Sequence, residues 1–157
     1  MYHIREISID ALDESITECE VAVWSNGDRT KIPSVLNANR ELLRAEKDAM
    51  ILVAQDAKGR TLGFRFGHAE KEQSEFKVFY DQNGGVHPEH RRQGIARSLL
   101  REQHRIAKSR GYSHIRTGVA IPMKPMIILN LQEGFEITEL RWCDIWNVKV
   151  LWFIKEL

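Results

Sequence analysis

The segment "PEHRRQGIARSLL", residues 88–100, sets His90, Arg91 and Arg92 before Gln93 and Gly94 at the head of an amphipathic helical pattern. The arrangement conflicts with simple electrostatics. A helix N-terminus already carries partial positive charge on its unpaired N–H groups, so cations beside it are unfavourable. A bound anion resolves the conflict. Backbone amides and the helix dipole suit phosphate, and Gly94 lets the backbone approach one with no Cβ in the way. Ala96 is small for the same reason. Arg91 and Arg92 can add charge-assisted hydrogen bonds to phosphate oxygens. The residues alone also allow a plainer reading, solvated arginines beside a loop glycine. Neither GxxxxGK[ST] nor GxGxxG occurs, so a P-loop and a Rossmann turn fit worse.

Other reactive residues point to less. His87-Pro88-Glu89-His90 invites a metal reading, but it is not HExxH and the proline prevents regular helical pairing of the two histidines. No metal is expected. Cys19 and Cys143 form neither a disulfide framework nor a CxxC site and read as reduced thiols. Trp142, Trp146 and Trp152 suit core packing or a dimer surface better than base stacking. Glu70, Lys71, Glu72 and Glu75 read as a solvated stretch.

The chain of 157 residues fits one domain, 1–157, with 43% hydrophobic and 29% charged residues. Its net charge of +1 gives no global attraction for nucleic acid or an anionic membrane, so an anion must be held locally. "MYHIREISID" alternates and carries early charge, unlike a secretory signal, and no apolar run reaches membrane-spanning length. A cytoplasmic location is expected.

The elements that must position the basic turn follow from periodicity. Residues 2–8 suggest a strand. Ile9, Leu12, Ile16, Cys19 and Val23 repeat at three-four spacing, predicting a helix from Ile9 that "SNGD" (25–28) stops. A second helix follows Pro33. "MILVA" (50–54) and "TLGFRFGHAE" (61–70) form a hairpin, and "EFKVFY" (75–80) begins a strand that "DQNGG" distorts or ends. Next comes the helix of the opening segment, closed by Gly111. "YSHIRTGVA" is a strand, "KPMIILNLQEG" a short helix stopped by Gly134, and "FEITELRW" and "VKVLWFIKEL" are closing strands. The order is β-α-α-β-β-β-α-β-α-β-β, an α+β layered sheet. Exposed closing strands could support a homodimer.

"VHPEHRRQGIARSLL" resembles the coenzyme A-binding segment of the GNAT superfamily of N-acetyltransferases. The family pattern [QR]-x-x-G-x-[GA] is matched by Arg91, Gly94 and Ala96, with Val86 and Pro88 at the preceding strand end. "MIILNLQEGF" (126–135) resembles the family's later helix, which ends in the Gly-Phe found here as Gly134-Phe135. The two segments have the family's order and separation.

The resemblance implies a mixed, mostly antiparallel twisted sheet of about six to seven strands with about four flanking helices. It implies acetyl-CoA as co-substrate, held by Gly85, Val86, His87, Arg91, Arg92, Gln93, Gly94, Ile95, Ala96, Arg97 and Asn130. The acceptor would be an amine on a small molecule or protein, attacking the thioester directly through a tetrahedral intermediate. A backbone N–H near Val86 would stabilise the oxyanion, and much of the rate would come from holding both substrates together. Tyr80, near where family members often carry a glutamate base, is the first proton-relay candidate, with a packed strand aromatic as its alternative. Asp81 should face the other side of the sheet, and His68 could line the amine pocket. Asn130 stands where many members have a tyrosine. An amide donates hydrogen bonds but is no general acid, which keeps open a non-catalytic acyl-CoA sensor.

Overall fold

The computed structural model describes residues 1–25, 33–71 and 75–157. Seven strands, β1 (Tyr2–Ile7), β2 (Met50–Asp56), β3 (Thr61–Ala69), β4 (Val78–Val86), β5 (His114–Ala120), β6 (Glu136–Cys143) and β7 (Val148–Glu156), form one sheet. Their spatial order is β1-β2-β3-β4-β5-β7-β6. Only β4 and β5 run parallel. Among the described residues four α-helices accompany the sheet: α1 (Glu14–Ser25), α2 (Pro33–Ala45), α3 (Ile95–Ser109) and α4 (Lys124–Gln132). This is the mixed, mostly antiparallel, helix-flanked sheet that the sequence leads one to expect.

Both sheet faces are covered, which is why β2 is a continuous apolar run. Met50, Leu52 and Ala54 join the cluster built on Ile95, Leu99 and Leu100 of α3. Ile51 and Val53 point the other way, to Ile16 and Cys19 of α1 and Leu43 of α2. Among the described residues no helix is long and apolar enough to cross a membrane.

One local expectation changes. The helix predicted from Ile9 is a short 3-10 turn over Ile9–Ala11, and α1 begins only at Glu14. Asp13 causes the restart: its Oδ1 accepts a hydrogen bond from the Ile16 N–H at 3.1 Å, the usual service of an N-cap carboxylate. Ile9 and Leu12 still pack on the α1 cluster, so the apolar spacing runs unbroken across a break in the helix. Beyond Ser25, the expected "SNGD" stop lies outside the described residues, as does Glu72.

The strand expected to end or distort at "DQNGG" continues to Val86 through a bulge. Phe66 pairs with Asn83 and Gly67 with Asp81, which leaves Gln82 as the extra residue. Tyr80 and Asp81, just before it, alternate to opposite faces as a regular strand requires. Pairing of β4 with β5 stops at Asp81↔Thr117. Beyond that point β4 stays with β3 as far as Gly63↔Val86, while β5 follows β7 as far as Ala120↔Val150. The sheet therefore opens between β4 and β5.

Candidate functional site

The basic turn leads directly from the open end of β4 into α3. Pro88–His90 forms a 3-10 turn, and Arg92 and Gly94 then adopt left-handed φ values of 63° and 81°. These conformations cost a residue with a Cβ on the order of 1–2 kcal/mol, so Arg92 is held there by its surroundings. Gly94 is the N-cap of α3, which begins with no side-chain cap and no acidic residue in its first turn. A Cβ built on Gly94 would meet nothing within 4 Å. The N-terminal amides of this helix thus retain the field that favours an anion.

A cleft of about 850 Å³ spreads in front of that turn, between α3, α4 and the end of β4. Among the described residues its charged lining side chains, Arg91, Arg92, Arg97 and Lys124, are all cationic, and the His90 imidazole lies beside them. At Trp24, Gly84, Met123 and Met126 the cleft meets a second chamber of about 410 Å³ that occupies the gap between β4 and β5. Among the described residues the chamber's charged ones are Arg65 and Asp81, whose side chains are almost wholly buried and hydrogen-bonded to each other. One continuous trough therefore has a cationic end and an electrically compensated end.

Most of the residues selected from sequence meet here. Gly85, Val86, Arg91, Arg92, Gly94, Ile95, Ala96 and Arg97 all line the larger cleft. Their roles differ in detail. Ile95 is buried in the core beneath α3. Arg91 Nε donates to the Val86 carbonyl at 3.2 Å. Arg97 reaches across to α4, bonding Gln132 Oε1 at 2.6 Å and Glu133 at 2.9 Å. Hydrogen bonds from Arg101 hold the Glu133 carboxyl below its ordinary range. Gly85 answers a packing need, since a Cβ there would lie 2.4 Å from Val23 of α1.

Five selected residues, Gln93, His87, Tyr80, Asn130 and His68, line neither cavity. Gln93 is exposed, and His87 is half-buried, its Nδ1 accepting from the Glu89 N–H at 3.3 Å. His87, Glu89 and His90 bring one ligand atom each within 4.8 Å of one another. Tyr80 lies with its ring 5.4 Å from His68 and 6.1 Å from Trp152, and burial pushes its hydroxyl up to about 12. Asn130 is fully buried with neither side-chain polar atom hydrogen-bonded. His68 packs against Tyr80 and bonds the Ala69 carbonyl at 2.8 Å, away from the chamber.

Sequence reasoning missed the chamber's walls. Trp24 from the last turn of α1 and Trp146 from the turn between β6 and β7 face it with Val119, Met123, Met126 and Val148. It also missed Lys124, the first residue of α4, and the Arg65–Asp81 pair. An arginine inside the otherwise uncharged β3 run "TLGFRFGHA" was the available signal, because a buried charge needs a partner.

The fold recurs among solved structures. The ribosomal-protein-S18-alanine N-acetyltransferase of Escherichia coli aligns with a TM-score of 0.76 at 16% identity, over 99% of this chain and 94% of that one. A GNAT family acetyltransferase of Elizabethkingia anophelis with acetyl-CoA bound aligns at 0.71 and 15%, over 99% and 98%. Nourseothricin acetyltransferase aligns at 0.61 and 22%, over 69% of this chain and 65% of that one. No curated protein matches the chain. A family model described as an acetyltransferase (GNAT) domain matches residues 47–135. With more than half of its 157 residues inside that domain, the chain belongs to the GNAT family of acetyltransferases.

Proposed function

We propose that this chain transfers an acetyl group from acetyl-CoA to an amine. The observation that carries the reading is the uncapped start of α3, facing a cleft whose charged residues, among those described, are all cationic and which runs into the gap between β4 and β5. A pyrophosphate-bearing donor matches the first end, and a reaction between two substrates matches the second. The donor supplies a thioester; attack by the amine nitrogen on its carbonyl carbon and breakage of the C–S bond give the amide and free coenzyme A thiol.

The chain's own part is to bind, orient and exclude water. Amides at the start of α3 and the side chains of Arg91, Arg92 and Lys124 are suited to pyrophosphate oxygens. Beyond Asp81, the β4 backbone has no β5 partner, so its edge can hydrogen-bond amides of the pantetheine arm as a missing strand would. Met123 and Met126, shared by cleft and chamber, keep water from the junction. Proximity supplies much of the acceleration. Neither cysteine is needed as a nucleophile: Cys19 is buried, and burial pushes its thiol up to about 12. Asn130 cannot donate a proton as tyrosine would, so the thiolate leaves on its own acidity, near ~8.5 by analogy with cysteine.

A thiol-release assay tests this reading. With acetyl-CoA and a panel of amines, coenzyme A should appear at a rate that depends on the amine. Binding of acetyl-CoA without any amine-dependent release would favour an acyl-CoA sensor instead.

A further inference from the structure

The chamber between β4 and β5 carries a statement about the acceptor, one that rests on the transferase reading above. Its walls are mostly apolar, Trp24, Val119, Met123, Met126, Trp146 and Val148. The neutral polar side chains of Gln82, Asn83 and Thr117 complete them, Gln82 Oε1 being buried with no hydrogen-bond partner. Trp24 and Trp146 are 38% and 67% exposed, so both rings stand at the opening with free surface. Aromatic rings at a mouth offer large, rigid contact to an apolar or aromatic body. Among the described residues the chamber's one carboxylate, Asp81, is already engaged. Asp81 accepts from Arg65 Nε at 3.1 Å, from Arg65 Nη2 at 2.5 Å and from Gln103 Nε2 at 3.3 Å. Its side chain is 2% exposed and that of Arg65 5%.

Two consequences follow from that engagement. A polycation entering the chamber would find mostly apolar walls, the neutral amides of Gln82 and Asn83, and a carboxylate whose charge Arg65 already compensates. No net negative charge would repay its desolvation, whereas the Gln82 oxygen can accept from a neutral amine. Asp81 is also poorly placed to take a proton from an ammonium group, because protonating it would leave Arg65 buried without its counter-charge. The amine must then shed its proton to water before it enters. A lysine-type amine with a pKa near ~10.4 is free base to only a few parts in ten thousand at neutral pH, whereas an α-amine near ~8 is free base to about a tenth.

We infer that the acceptor is a weakly basic amine on an apolar, preferably aromatic, body, taken up as the free base with that body between Trp24 and Trp146. The reaction then balances without an enzyme base. The neutral nitrogen attacks the thioester carbon, the C–S bond breaks, and the proton shed by nitrogen is taken up by the departing thiolate, directly or through water.

The test uses three amines with the full-length chain: L-phenylalaninamide, spermidine and Nα-acetyl-L-lysinamide. A peptide opening on phenylalanine separates a peptide amino terminus from a free small molecule as the source of the same chemistry. Acetyl-CoA binding is measured first, by calorimetry. The expected result is kcat/KM for the phenylalanine-type amine at least about a hundredfold above the other two, rising with pH up to that amine's own pKa. Trp146→Ala, which touches the chamber and not the donor cleft, should raise KM for the apolar amine about tenfold and leave acetyl-CoA affinity unmoved. If acetyl-CoA binds but spermidine or the lysine derivative is preferred, the inference is overturned while the transferase reading stands. The same holds if Trp146→Ala leaves KM unchanged. If acetyl-CoA binds but none of the amines turns over, the inference is overturned and the acyl-CoA sensor is favoured over the transferase. Absence of acetyl-CoA binding would remove the transferase reading itself, and this inference with it.

Discussion

Arg65 and Asp81 are joined across β3 and β4 by two hydrogen bonds, at the last residue pair before β4 and β5 part. Gln103 of α3 completes the arrangement, accepting from Arg65 Nε at 3.1 Å and donating to Asp81 at 3.3 Å. The Thr117 hydroxyl donates to the Asp81 carbonyl at 2.9 Å, fastening β5 at the same point. The network thus marks the apex of the opening on which the trough depends.

Removing one member should be costly. Asp81→Leu leaves the Arg65 guanidinium buried and uncompensated, a change worth about 3–5 kcal/mol. Replacing both, as Arg65→Met with Asp81→Leu, removes the stranded charge and should cost clearly less than the single change. Urea unfolding of the two single variants and the double variant checks this. Equal losses for the single and the double would deny the pair its coupling.

Gly85 should prove a packing residue. Gly85→Ala places a Cβ 2.4 Å from Val23 Cγ1, and overpacking of this kind costs about 1–3 kcal/mol. Val23→Ala in the same chain removes the obstructing methyls and should restore part of the loss. Thermal unfolding of the single and double variants measures the rescue. No recovery would place the glycine requirement elsewhere.

Two buried groups should give stability opposite pH slopes. Burial, reinforced by Lys155, lowers His104 from 6.5 to about 3. Its contribution is present above pH 6.5 and falls as pH drops toward 3, because the unfolded chain then binds a proton that the folded one refuses. The slope is about 1.4 kcal/mol per pH unit. Burial raises Glu20 from 4.5 to about 7 against the opposing pull of Arg40. Its contribution is present below pH 4.5 and is lost as pH rises to 7, up to about 3 kcal/mol. His104→Leu should flatten the acid limb, and Glu20→Gln should stabilise the protein at pH 8. Denaturant midpoints across pH 3–8 read both effects.

Tyr80 should tolerate loss of its hydroxyl. The ring packs with His68 and Trp152, the hydroxyl stays protonated up to about 12, and the residue lines neither cavity. Tyr80→Phe is expected to keep kcat within about twofold, far less than the hundredfold or more typical of a lost general acid or base. A loss of that larger size in steady-state turnover would return Tyr80 to a proton-relay role.

The order of elements and the basic turn were legible in the sequence because both are local. Hydrophobic period distinguishes the strands from α3, and Arg91, Gly94 and Ala96 lie within six consecutive residues. The break before α1 was hidden because Ile9 and Leu12 pack where a helix would also have put them. The bulge at Gln82 was legible only as one of two alternatives. "DQNGG" can distort a strand or end it, and only pairing with Phe66 and Gly67 of β3 shows that the strand is distorted and continues. Trp24 and Trp146 meet at one chamber through the docking of α1 and the β6–β7 turn about the sheet, a tertiary fact with no local pattern. The fate of Asn130 was equally illegible: alignment gave its position on α4 but not its complete burial.

The central claim is that the start of α3 holds the phosphates of acetyl-CoA, and calorimetric titration of the wild type beside Gly94→Glu tests it most directly. The substitution sets a carboxylate in open space at the cationic turn, where φ is 81°. The account predicts saturable binding to the wild type and at least about a hundredfold weaker binding to the variant, a loss of about 2.7 kcal/mol, with circular dichroism showing the variant still folded. Equal affinity in both proteins, or no binding to the wild type, would contradict the account.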